Sequence, residues 1–356
     1  MVIILGFAAL VVDVGYLANA RSELQRAADA AALSASWQYA QALSDKEPAN
    51  AAEESAVAAA NAIVGTNDVC KSSVAIDASD LRLGYLSNLT DRSSPLDTSD
   101  PSRFNAIEVT VRRSSEINGR VPFFFARIFG MSGTDAQASA TAAMLRNIRG
   151  FRAPADGTNV DFLPIALDLP SWNYVYGGNG NDDWKYDEET KTVIPGHDDI
   201  PEINLYPKGN GAAGNRGMVD IGSSNNSTAD IARQIVYGIS ESDLAYFGGK
   251  LELGDDDTLD LNGDTGISAG VKDELQSIVG QTRCIPIFND VNGPGNNAVY
   301  TICTFAGIRI MEVNLTGSKN NKRLIVQPAV VMIKGGIPSD DQSTSDDVFS
   351  PIFLVR

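Results

Sequence analysis

The chain has 356 residues, 43% of them hydrophobic, with a net charge of −17 and a pI near 4.4. That length leaves room for two domains, and the composition supports a real core rather than a disordered tail. Acidic residues spread along the chain repel phosphate backbones and anionic lipid headgroups, which argues against nucleic acid as a partner. Cys70, Cys284 and Cys303 are too few for a disulfide scaffold and too scattered for a zinc site. Cys284 and Cys303 fall on expected neighbouring strands, as either a bridge or two buried thiols. A single histidine, His197, limits acid–base chemistry.

Met1–Val12 is an uninterrupted apolar run, shorter than the ~20 residues a spanning helix needs. No Lys or Arg precedes it and no small-residue cleavage site follows it directly, unlike a signal peptide. A buried core helix, a cleaved signal and a membrane anchor whose beginning is missing all compete. The anchor is expected, because the helical pattern runs on without a break. Leu10, Leu17, Leu24, Ala28, Ala31 and Ala35 make one helical stripe, predicting a helix over residues 1–43, roughly 65 Å long. Small residues on a stripe admit a close neighbour, either another helix or the protein's own domain. Asp13 needs a partner if it lies in lipid. The expectation is the headgroup boundary, given Tyr16 and Asn19 just beyond.

The segment VVDVGYLANARSELQRAADAAALSAS resembles the N-terminal signature of the TadE/TadG-like pilus-assembly family. In that family an apolar run leads into a V-D-x-G step, a Leu-Gln pair and an A-D-x-A-A-L segment. Asp13, Gly15, Leu24, Gln25, Ala28, Asp29, Ala31, Ala32 and Leu33 match. Family members usually carry a longer apolar run preceded by basic residues. Leu5 stands where type IV pilins show a glutamate, so a major pilin subunit is not expected. The resemblance implies a non-enzymatic envelope component of tight-adherence pilus assembly or surface attachment. It implies a single-pass helix in the bacterial inner membrane, with the C-terminal domain extracytoplasmic. Partners would be the inner membrane and other pilus-assembly or envelope proteins. Self-association would use the N-terminal helix, with Asp13, Gly15, Leu17, Leu24, Ala28 and Ala31 as its membrane and assembly residues. Arg21 and Arg26 beyond the apolar run oppose this orientation, so the resemblance, not charge, sets it.

Residues 48–64 read as a second helix between Pro48 and Gly65. Residues 73–76, 81–86 and 106–112 read as strands, the last alternating apolar and polar side chains. VPFFFARIFGM reads as a short aromatic helix stopped by Gly130, with Phe123, Phe124, Phe125 and Phe129 in the core. TDAQASATAAML reads as a returning strand. The resemblance covers this whole segment. RNIRGFRAP, residues 146–154, reads as the joint to a turn-rich second region. Its clearest strands are 299–305, 309–315, 323–333 and 348–355, and its helices are ADIARQIVYG behind a Ser227–Asp230 capping box and VKDELQSIVG ending at Gly280. The expected class is α+β: a long N-terminal helix on a small antiparallel sheet, a pilin-like module, followed by a mostly β domain with a few inserted helices. The expected segments are 1–43, 44–149 and 150–356. Phe162–Leu169, GNRGMVDIG, GDTGISAG and GNNAVYTICTFAGIRI make the last segment resemble the domain attached to many TadG-related proteins. The Asp-x-Ser-x-Ser step of a von Willebrand A metal site is not matched by Asp220–Ser223, where Gly222 replaces the first serine.

Gly266–Gly270 fits G-x-S-x-G around Ser268, but a nucleophile elbow needs a preceding strand and a later histidine, so it reads as a turn. Gly209–Gly214 spells G-x-G-x-x-G without a helical period behind it and reads as a loop. Asp257, Asp260, Asn262 and Asp264 offer oxygens at alternate positions, suited to Ca²⁺. Counted from Asp260, Thr265 and Val271 occupy the EF-hand glycine and acid positions, leaving a looser Ca²⁺ loop or a solvated acidic turn. Residues 179–183 with Asp187 are a second oxygen-rich stretch. His197 beside Asp198 and Asp199 reads as an exposed loop. No cofactor is required, with Ca²⁺ the one candidate ligand. The alternative function is a membrane-anchored adhesin or ligand-binding module that uses it.

Overall fold

The computed structural model describes residues 2–206, 216–222, 227–293, 295–318, 321–339 and 345–356, with side chains from Leu10 onward except Asn296. The chain divides into two compact units: Met1–Leu145 together with Ile352–Arg356, and Arg146–Pro351. Residues 1–43 therefore belong to the same unit as the sheet that follows them, and the last five residues rejoin that unit.

In the first unit α1 spans Val2–Ser44 and α2 spans Ala49–Val64. No proline interrupts α1, and its outer half is rich in strong helix formers. Pro48 precedes α2 and Gly65 closes it. Ala52, Ala56, Ala60 and Val64 form a fully buried face at every fourth position of α2. Across from it α1 buries Leu24, Ala27, Ala28, Ala31, Ala32 and Ala35 against α2 and the sheet. Methyl-sized side chains let these elements approach closely. The expected α+β class, a long helix on a small antiparallel sheet, is what this unit shows.

That sheet has β1 (Leu81–Gly84), β2 (Ala106–Arg113) and β3 (Ala136–Ala143) in that order, all antiparallel. Residues 73–76 are extended but join no ladder. The fourth strand is Phe353–Leu354, the end of the chain, paired to β3. Beyond it Val355 N–H donates to Thr141 O at 2.8 Å and Thr141 N–H to Arg356 O at 2.8 Å. The Arg356 guanidinium reaches Ser94 O (2.8 Å), Glu108 Oε2 (3.1 Å) and Thr141 Oγ1 (3.2 Å). The expected strand over 348–355 is thus split by Pro351 between two sheets.

The second unit is built on β4 (Ile165–Asp168), β5 (Ile203–Asn204), β6 (Arg216–Val219), β7 (Leu259–Asp264), β8 (Thr282–Asn292), β9 (Ala298–Asn314) and β10 (Arg323–Pro328). Their order is β5-β10-β9-β7-β6-β4-β8, and β8 also pairs with β9, which closes five of the strands into a ring. The two strands expected over 299–305 and 309–315 are one strand, β9. Gly307 lies inside it because a Cβ there would meet Ala329 O at 2.3 Å. Neighbouring residues serve opposite faces. Ile165 and Leu167 join a cluster with Ile231, Ile235 and Leu275 from helices, while Ala166 joins Val219, Leu261 and Tyr300. The helices are α3 (Leu169–Tyr176), α4 (Thr228–Tyr237), α5 (Glu241–Ala245) and α6 (Lys272–Ser277). Ser227 caps α4 by accepting Asp230 N–H. All three cysteines are free thiols. Cys284 faces Gly307 in register and packs in one cluster, whereas Cys303 packs against the other.

Candidate functional site

The site with the most unusual chemistry lies where α1 leaves its apolar run. Asp13 follows Val12 directly and is only 3% exposed. Its Oδ1 accepts Phe124 N–H at 2.7 Å, and its Oδ2 accepts Phe125 N–H at 3.1 Å and Ala126 N–H at 2.7 Å. These three amides open the 3₁₀ turn Ala126–Phe129, which Gly130 closes at φ 80°. A helical turn leaves its first donors unsatisfied, and a carboxylate from a distant element supplies the acceptors here. Burial pushes the Asp13 carboxyl up. The three amides and Arg127 outweigh that and hold it below the usual carboxylate value. Tyr16, one turn along, packs edge-on against Phe124 with ring centroids 5.1 Å apart.

The side chains of this turn point outward, which corrects the expectation that its phenylalanines are core. Phe123 is half-buried, and Phe124, Phe125, Ile128, Phe129 and Met131 are exposed, Ile128 by 82% and Phe129 by 71%. The backbone explains the difference. Asp13 holds the amides inward, so the short turn has one inward side chain to give, Ala126. On α1, Leu10, Val11, Val12 and Val14 are also exposed, Val11 by 68% and Val14 by 66%. At ~100° per residue these four positions span roughly 200° of the helix, away from the side Asp13 occupies. Large apolar groups exposed over so wide an arc are more than a narrow stripe.

The remaining α1 residues divide by face. Leu24, Ala28 and Ala31 are fully buried within their own unit, and Leu17 is half-buried. Gly15 is exposed, and a Cβ there would meet nothing within 4 Å, so no contact in the structure accounts for it. Gln25 Nε2 bridges Asp29 Oδ1 (2.8 Å) and Ser139 O on β3 (3.3 Å), and Glu23 Oε2 accepts Cys70 N–H at 2.7 Å. The polar signature residues thus fasten α1 to its sheet and to the loop after α2.

Asp257 sits in a turn at φ 56°, and Asp260, Asn262 and Asp264 run along β7. Alternate residues of a strand are about 6–7 Å apart on one face, so this run spreads its oxygens instead of wrapping them round a point. Asp260 Oδ1 accepts the Thr301 hydroxyl at 2.8 Å. Among the described residues no group of three or more His, Cys, Asp or Glu could hold a metal ion. Ser268 Oγ caps a 3₁₀ turn by accepting Gly270 N–H. His197 is exposed beside the Asp182 carbonyl. Residues 209–214 and Ser223 lie outside the described residues. Elsewhere in the second unit Asp347 is buried beside a cavity of 210 Å³ lined by Arg146, Trp172 and Tyr176. Desolvation pushes its carboxyl up to about 6, against bonds from Gly307 N–H (2.6 Å) and the Ser345 hydroxyl (2.7 Å).

Among the described residues no helix is long and apolar enough to cross a membrane. No curated protein and no solved structure matches the chain. Two family models do. One, described as Flp pilus-assembly TadE/G-like, covers residues 1–45, and the other, Tad-like Flp pilus-assembly, covers residues 30–142. Both lie within the first unit, which carries the Asp13 cap and the exposed apolar end. Through these residues, 1–142, the chain is similar to the Flp pilus-assembly TadE/G-like families.

Proposed function

We propose that this protein is a non-enzymatic structural component of the cell envelope, attached to the inner membrane by the apolar end of α1. The second unit is then held outside the cytoplasm for pilus assembly or surface attachment. The observation that carries the reading is the exposure of Leu10, Val11, Val12 and Val14 over roughly 200° of the helix. Water penalises such a surface by about 25 cal/mol per Å², whereas lipid accepts it on all sides at once. The sequence before Leu10 is apolar as well. Asp13 then marks the headgroup boundary, its charge satisfied by the protein's own amides. The similarity of residues 1–142 to Flp pilus-assembly families supports a role beside other pilus-assembly proteins.

Spheroplasts probed with an antibody against the second unit test this. The expected result is a membrane-bound antigen destroyed by added protease. A soluble antigen that survives protease in intact spheroplasts would sink the reading.

A further inference from the structure

The aromatic turn offers a surface that anchoring through α1 alone does not explain. Phe124, Phe125, Ile128, Phe129 and Met131 are all exposed, yet the backbone that carries them leaves few donors open. Phe124, Phe125 and Ala126 N–H groups go to Asp13. Those of Phe123, Ile128, Gly130 and Met131 go to Ser132, Phe125, Arg127 and Ala126 carbonyls. A loop facing water has no need of such closure, because water completes its hydrogen bonds. A loop entering an apolar phase must satisfy its backbone internally.

Position and charge agree with that. The turn is fixed by Asp13 at the residue where the apolar run of α1 ends, the level at which aromatic side chains gather at membrane boundaries. Residues 121–131 contain one charged side chain, the exposed Arg127, and no acid, within a chain of net charge −17. A cation among exposed aromatic and aliphatic groups suits an anionic lipid surface, with the apolar groups in the outer acyl region and the guanidinium among headgroups.

We infer that the Phe124–Met131 turn is a second lipid contact, seated in the headgroup–acyl boundary of an anionic membrane beside α1. Two contacts on one rigid carboxylate–amide joint fix the rotation of the first unit about the helix axis, which a lone helix leaves free. This rests on the membrane attachment proposed above, and the test separates the two. The full chain carrying Ile128→Trp is reconstituted into mixed phosphatidylcholine–phosphatidylglycerol vesicles, with and without lipids brominated near the headgroup end of the acyl chain. Ile128 is exposed, so the change leaves the fold intact. The wild-type chain, whose tryptophans are Trp37, Trp172 and Trp184, is the reference.

The expected result is that both proteins float with the vesicles and that the added indole loses most of its emission to bromine. Flotation without quenching beyond the wild-type level overturns the inference and leaves the anchor standing. A blue-shifted but unquenched indole, covered by a second copy or another protein, overturns it as well. Failure to float overturns the attachment and the inference together. As a second variant, Phe125→Ser/Phe129→Ser should still float, yet be released from anionic vesicles at lower detergent than wild type. Equal release would count against the inference.

Discussion

The two units place their large apolar residues in opposite ways. In the first, alanines fill the space between α1, α2 and the sheet, while leucine, valine and phenylalanine stand outside at one end. In the second, Phe151, Phe162, Tyr300 and a set of isoleucines fill both faces of the sheet, and the exposed large hydrophobic residues among those described are Tyr174, Tyr237, Tyr246 and Val299. A tyrosine keeps its hydroxyl in water and is ordinary on a soluble surface, whereas a cluster of phenylalanine and aliphatic groups is not. Among the described residues the exposed aliphatic and phenylalanine side chains thus gather on the first unit. The carboxylates follow suit. Asp13 holds its charge by collecting three amides, and Asp347 is pushed toward neutrality by burial.

The contrast can be broken at several points. Removing residues 352–356 should act most strongly, on the first unit. It deletes two backbone bonds to Thr141, the burial of Val355 and the Arg356 contacts, on the order of 3–5 kcal/mol together. Denaturant unfolding followed through Trp37 should show that loss. An unchanged midpoint would mean that the returning strand is dispensable.

Acid should move the two carboxylates' contributions in opposite directions. Asp347 is raised from 3.8 to about 6 in the folded chain, so the folded state binds more protons between those values. Its contribution is full below 3.8 and declines as pH rises to about 6, by an amount on the order of 2–3 kcal/mol. Asp347→Asn should flatten that slope in unfolding followed through Trp172 and Trp184. Asp13 is lowered, so its contribution is present above 3.8 and is lost as pH falls through its lower folded value. Hydrogen exchange at Phe124, Phe125 and Ala126 should then accelerate, and protection that persists in Asp13→Ala would discount the cap.

Packing offers a matched pair of smaller effects. Ala31→Leu forces a larger group between α1 and its neighbours. Gly217→Ala drives a methyl to within 1.9 Å of the Tyr300 hydroxyl. Each should cost about 1–3 kcal/mol in its own unit. A neutral Ala31→Leu would mean that the alanine face is not closely packed. Smallest of all, Phe125→Ser/Phe129→Ser should leave unfolding within about 0.5 kcal/mol of wild type, as for surface positions. A large loss would return those rings to the core.

How far the sequence could be read differs between the units for physical reasons. Helical period, Pro48 and Gly65 marked α1 and α2, because helices are set by neighbours in sequence. The matching residues of α1 pointed to the family on the same local grounds. The aromatic turn misled because phenylalanine is usually internal. Its orientation depends on Asp13, more than a hundred residues earlier. LDLNGD looked like a loop of oxygens, although Leu259 and Leu261 alternate with Asp260 and Asn262, the period of a strand. The strand over 348–355 was legible, but not its division at Pro351 or its return to the first unit. Phe353–Leu354 is two residues long and follows a proline, and only β3 makes it a strand. Gly307 looked like a break in β9 because the need for close approach to Ala329 is a tertiary fact.

The central claim is that the apolar end of the first unit faces lipid, and flotation of the purified chain on phosphatidylcholine vesicles in high salt tests it most directly. Salt screens surface charge within a few ångström but leaves apolar contact intact. The account predicts that the chain rises with the vesicles under these conditions. A chain left in the bottom fraction, with its helices intact by circular dichroism, would contradict it.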